Sequence, residues 1–67
     1  MSEEQFSAKW QKLRGAAQEE WGELTESDLD RVVGKRDKLI GSVRERYNLS
    51  EEESDQKVNE WSVRFGI

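Results

Sequence analysis

The reactive side chains of this chain are carboxylates, cations and hydroxyls, because histidine and cysteine are both absent. The carboxylates fall in groups: Glu19, Glu20 and Glu23, then Asp28 and Asp30, then Glu51, Glu52 and Glu53. Two carboxyls can divide acid and base roles in glycoside hydrolysis, but that needs a walled cleft with one carboxyl held protonated. A small helical chain has little room for such a cleft. Serine and threonine become nucleophiles only beside an activating base, most often histidine. A serine–lysine pairing remains formally open, yet Thr25 and Ser50 stand where helices need caps. Glu51, Glu52, Glu53 and Asp55 could gather a hard cation, but the EF-hand spacing and its turn glycine are missing. Without cysteine there is no thiolate metal site and no disulfide framework. The residues therefore point to no enzyme, with no catalytic, metal-ligating or cofactor-binding residue.

Charge is segregated along the chain. Residues 31–46 carry Arg31, Lys35, Arg36, Lys38, Arg44 and Arg46 against only Asp37 and Glu45, and Lys9, Lys12 and Arg14 form a second basic group. Acids gather at 19–30 and 51–60. The basic segment 31–46 is the candidate nucleic-acid contact, since clustered lysine and arginine neutralise phosphates. Two features oppose that reading. The formal net charge is −4, whereas nucleic-acid modules are usually basic. Paired hairpins are similar to helix-hairpin-helix DNA binders, but Gly22 and Gly34 do not form the glycine pair that turns backbone amides toward phosphate. The plainer expectation is that these charges pair locally along their own helices and keep the surface solvated.

The chain has 67 residues, 33% of them hydrophobic and 39% charged. That length suits one domain, spanning 1–67. No apolar run is long enough to cross a membrane, and the opening Met-Ser-Glu-Glu is no basic-then-apolar signal segment. A cytoplasmic, monomeric protein without membrane insertion is expected. Low hydropathy with high charge is also the composition of disordered chains, but the spacing of the apolar residues argues for a fold.

Phe6, Trp10, Leu13, Ala17 and Trp21 advance in steps of 4, 3, 4 and 4. Leu29, Val33, Arg36, Ile40, Val43 and Tyr47 advance in steps of 4, 3, 4, 3 and 4, and Val58, Trp61 and Phe65 in steps of 3 and 4. Each set lines one face of a helix. There is no proline, and no stretch alternates long enough for a strand. Gly22 is placed to end the first helix in the left-handed conformation, Gly34 to end the second, and Asn48 to end the third. Thr25 with Asp28, and Ser50 with Glu53, have the spacing of capping boxes, and Leu24 with Leu29 that of a hydrophobic staple. The expected helices are 3–21, 26–33, 35–47 and 51–64. The expected core is Trp10, Leu13, Trp21, Leu24, Leu29, Val33, Ile40, Val43, Tyr47 and Trp61. Phe6, Trp10 and Trp21 beside Lys9, Lys12 and Arg14 would also suit a membrane surface, though a core-facing helix has the same pattern. Val63, Phe65 and Ile67 are candidates for a partner surface or for the base of the core.

The chain also resembles itself. Lys12-Leu13-Arg14-Gly15 matches Lys38-Leu39-Ile40-Gly41, Glu19 matches Glu45, and Trp21 matches Tyr47. After one deletion, Leu24-Thr25-Glu26 matches Leu49-Ser50-Glu51, and Val33 falls opposite Val58. Each copy encodes helix, turn and capped helix. Two such α-hairpins must pack on each other to bury their apolar faces. Glycine inside a helix costs about 1 kcal/mol relative to alanine, so Gly15 and Gly41 are expected where helices cross closely.

Trp10, Gly15, Trp21-Gly22-Glu23-Leu24-Thr25, Asp28-Leu29, Gly34-Lys35, Asp37, Leu39, Gly41 and Arg46-Tyr47 together resemble the CsbD-like family of bacterial general-stress proteins. The resemblance covers nearly the whole chain, and the W-G-x-L-T run with two spaced glycine motifs is fairly specific. Asn48, where the family often has glycine, and Arg44, where it often has glutamine, depart from the pattern. The resemblance implies a small cytoplasmic protein raised under stress, built as four helices in two roughly orthogonal hairpins like a SAM domain. It implies no catalytic site. The expected function is non-catalytic, through protein interaction or protection, with a weak nucleic-acid-binding module as the alternative.

Overall fold

A computed structural model describes residues 3–66. The architecture is all-α: α1 spans Glu3–Glu20, α2 Glu26–Val32, α3 Arg36–Tyr47 and α4 Glu51–Arg64. Among the described residues there is no strand. The backbones of α3 and α4 approach most closely, followed by those of α2 and α3, while α1 joins through its large side chains. All four helices feed one apolar cluster of Phe6, Trp10, Leu13, Ala17, Trp21, Leu24, Leu29, Val32, Leu39, Val43, Val58 and Trp61.

The aromatic residues organise this core. Phe6 stacks on Trp10 with centroids 5.6 Å apart, and Trp21 meets Trp61 at 5.2 Å across the join between α1 and α4. The stacked and the tilted contact each add to the large area the rings remove from water. Two serines of α4 lie within the core. Ser54 and Ser62 are fully buried, and their hydroxyls donate to carbonyls one turn back, Ser62 to Val58 at 2.8 Å. Satisfying a buried hydroxyl on its own helix removes most of the penalty of burying it.

The short helices exist because of their ends. At seven residues, α2 is far below the length that holds in isolation. Thr25 accepts from the Asp28 N–H at 3.1 Å, and the Asp28 carboxylate accepts from the Thr25 N–H at 3.0 Å. Ser50 and Glu53 repeat the arrangement at the start of α4, both at 3.1 Å. Leu24 and Leu29, flanking the first cap, are both buried. Asn48 ends α3 at φ 54°, its N–H donating to the Arg44 carbonyl.

Gly22 is not in the left-handed region. The chain leaves α1 through a turn in which the Leu24 N–H donates to the Trp21 carbonyl at 3.0 Å, so no left-handed residue is required there. Val33 does not belong to the core. It is 69% exposed and itself takes the left-handed conformation, φ 46° and ψ 40°, ending α2 one residue early. The break turns Val32 inward instead, fully buried. For a β-branched side chain that backbone conformation is a true outlier, costing roughly 1–2 kcal/mol. Tyr47 is exposed at 36% and Ile40 is only partly buried. Gly15 and Gly41 are not at close crossings, because a Cβ at either would meet nothing within 4 Å. The tight glycine is Gly34: at φ 76°, its Cβ would lie 2.9 Å from the Ser7 Cα. Val63 is exposed at 67% and Phe65 at 42%, the latter resting on Trp61 at 5.2 Å. Ile67 lies outside the described residues.

Candidate functional site

The cations of 31–46 do not form one face. Arg46 is bound to Asp28, and Arg36 reaches Asp55 at 3.2 Å and Asn59 at 3.3 Å. Arg44 borders a shallow hollow whose other charged residues, Asp37, Glu51, Glu52 and Asp55, are all acidic. Arg31, Lys35 and Lys38 are exposed. Lys38 and Arg44 are six residues apart on α3, and so are separated by well over a quarter turn. The segment that is basic in one dimension is thus interleaved with acids in three.

The arginine–carboxylate pairs seen among the described residues run between helices rather than along single ones, as local pairing would have it. Arg14 of α1 pairs with Asp30 of α2 at 2.6 Å. Arg46 of α3 pairs with Asp28 of α2 at 2.7 Å, Arg36 of α3 with Asp55 of α4, and Arg64 of α4 with Glu20 of α1 at 2.8 Å. Each joins two helices, and together they close a circuit around the molecule. Arginine suits this use because its fork holds a carboxylate in a defined direction.

Asp28 is the most constrained carboxylate of the set, only 5% exposed. The hydrogen bond from Arg46, followed by that from the Thr25 N–H, lowers its pKa from 3.8 to about 2, against the opposing effect of burial. Glu53 is also held below the ordinary range, chiefly by the Ser50 N–H and then by the Ser50 hydroxyl. A general acid at neutral pH needs the opposite shift. Thr25, Ser50, Asp28 and Glu53 are thereby committed to helix starts. Among the described residues, no three metal-ligating side chains converge.

A surface groove of about 600 Å³ lies between the ends of α1 and α3 and the outer side of α4. Trp21, Tyr47, Leu49 and Trp61 form its apolar lining, and Glu20, Lys57, Glu60 and Arg64 its rim. Both indoles are at least 95% covered, so they present little surface there. Tyr47 crosses the groove edge, its hydroxyl accepting from the Glu23 N–H at 3.1 Å.

The W-G-x-L-T run, Asp28-Leu29 and Arg46-Tyr47 therefore meet at one place. The α1–α2 turn is clamped from α3 by Arg46 and Tyr47, above a floor of Trp21, Leu24 and Leu29. Sequence reading found the two caps but not this clamp, because nothing local pairs Asp28 with a residue 18 positions away. The matched burial of Leu13 and Leu39 follows the internal repeat, whereas Val33 and Val58, and Trp21 and Tyr47, have opposite exposures.

Fold and site together define a small all-α protein whose motif residues join its helices to one another. The chain belongs to the CsbD-like family, whose model matches residues 4–55. It is 41% identical over 61 residues to a UPF0337 protein of Pectobacterium atrosepticum, covering 91% of this chain and 88% of that one. It is 33% identical over 64 residues to the UPF0337 protein YjbJ of Escherichia coli, covering 96% and 93% respectively. A UPF0337 protein of Nitrosomonas europaea is 38% identical over 50 residues, which is 75% of this chain and 53% of the relative. No solved structure matches the chain significantly. Among the described residues, no helix is long and apolar enough to cross a membrane.

Proposed function

We propose that this is a non-catalytic, stress-associated cytoplasmic protein that works by contact with other proteins, keeping them soluble under stress. Membership of the CsbD-like family supports the stress association. One observation carries the non-catalytic part: the capping hydroxyls and the most buried carboxylate, Asp28, are used by the fold. Thr25 and Ser50 cap helices, Asp28 and Glu53 are held ionised as their partners, and four arginines bind carboxylates across helix boundaries. What is left outside is a dense mixed-charge shell, suited to weak and adaptable contacts that oppose aggregation.

The test is a heat- or drying-induced aggregation assay on a labile enzyme, followed by light scattering. Scattering falls with added protein, and more than with an equal mass of an unrelated acidic protein. Equal effects of the two would refute the protective role. A titration with DNA and RNA at low salt separates the polyanion reading. Binding that weakens log-linearly with salt, and is lost on Lys35→Glu with Lys38→Glu, would replace the present proposal.

A further inference from the structure

The stripe Leu29, Val33, Arg36, Ile40, Val43 and Tyr47 keeps its helical spacing straight through the corner between α2 and α3. That is the pattern of one uninterrupted helix. The fold interrupts it at Val33, Gly34 and Lys35. Val33 is left exposed at φ 46°, a backbone conformation that is unfavourable for a β-branched residue. Gly34 follows at φ 76°, packed against the Ser7 backbone. No proline bars these residues from the α conformation. The pattern along the chain and the packing of the single molecule therefore conflict at this corner.

We propose that the corner is a hinge through which two copies of the chain exchange their α3–α4 halves, residues 26–47 straightening into one helix. The core identifies the partner. Phe6, Trp10, Trp21 and Leu29 of the first half pack in one cluster with Val43 and Trp61 of the second. Straightening separates these sets within a chain, and a second copy supplies to each the surface it has left. The polar links divide in the same way. Arg46–Asp28, Arg64–Glu20 and the Glu23 N–H to Tyr47 bond cross between halves and re-form between chains. Arg14–Asp30 and Arg36–Asp55 stay within a half. The corner alone differs in kind, and there the open form releases two left-handed residues. In the straight helix Val33, Ile40 and Tyr47, seven residues apart, lie on one face. None of the three is fully buried in the single chain. Because association costs translational freedom, the exchanged form grows with concentration, and it forms slowly because the core must first open.

The experiment mixes equal amounts of carbon-13-labelled and unlabelled chains, opens them in denaturant, and refolds them at high concentration. The dimer is isolated by size exclusion and examined by isotope-filtered NMR. Trp21 and Trp61, with centroids 5.2 Å apart, belong to different halves. Their contact is expected between a labelled and an unlabelled chain. Val33→Gly, which removes the left-handed strain, lowers the dimer fraction about tenfold, while Gly34→Ala, whose Cβ has no room beside Ser7, raises it. A dimer whose Trp21–Trp61 contact stays within one chain overturns the proposal. So does a wild-type chain that remains monomeric after this treatment. If Gly34→Ala fails to fold, Val33→Gly still decides, since an unchanged dimer fraction shows that the corner is no hinge.

Discussion

Arg46 reaches from the last turn of α3 to Asp28 in the first turn of α2, its Nε 2.7 Å from Oδ2 and its Nη2 3.2 Å from Oδ1. Asp28 is at the same time the capping partner of Thr25. One carboxylate thus starts a seven-residue helix and anchors it to the next hairpin. The other three arginine pairs, with more exposed acids, are each worth little in energy. Their value lies in direction, because each accepts one mutual placement of two helices.

Asp28→Asn should lower stability at pH 7 and flatten its acid dependence. The folded pKa lies at about 2 against an ordinary 3.8, so the ionised form favours the fold. That contribution is complete above about pH 4 and is lost as the pH falls through 2. The shift corresponds to about 1–2 kcal/mol once the half-exposed Arg46 is discounted for screening. Urea titrations at several pH values would check this. Equal acid slopes for wild type and variant would show that Asp28 is not the group responsible.

The two capping boxes should contribute separately. Thr25→Ala and Ser50→Ala are each expected to cost about 1 kcal/mol. The caps begin different helices, α2 and α4, so the double variant should equal the sum within about 0.5 kcal/mol. Thermal melts of the three variants measure it, and a strongly non-additive result would mean that α2 and α4 form as one unit.

The glycines should behave oppositely. Gly15→Ala and Gly41→Ala have open space at the new Cβ, and alanine in a helix interior should stabilise by about 0.5–1 kcal/mol. Gly34→Ala meets backbone 2.9 Å away at a positive φ and should destabilise the single-chain fold. Denaturation midpoints that rank Gly41→Ala below Gly34→Ala would contradict the placement of all three.

Trp61→Ala should cost about 3–5 kcal/mol, the range for removing a large core aromatic. Trp61 is 1% exposed and lies against both Trp21 and Phe65, so its loss should also shift the remaining indole emission toward that of wet tryptophan. Fluorescence in the native state and across a urea titration reads both effects. An unshifted spectrum with a small stability change would place Trp61 at the surface.

The helices and their starts were legible because their causes are local. An apolar residue every three or four positions makes a helix face, and a hydroxyl three residues before a carboxylate makes a cap. Thr25 with Asp28, Ser50 with Glu53, and the inward indoles could all be read within a few positions of sequence. The same local information misplaced Val33 and Gly22, because it cannot say where packing bends a helix whose stripe runs on unbroken. It also made 31–46 look like a basic surface. Only the tertiary structure brought Asp55 to Arg36 and Asp28 to Arg46. Charge pairing depends on distance through space, and distances of a few ångströms between residues 18 or more apart are set by how the core packs.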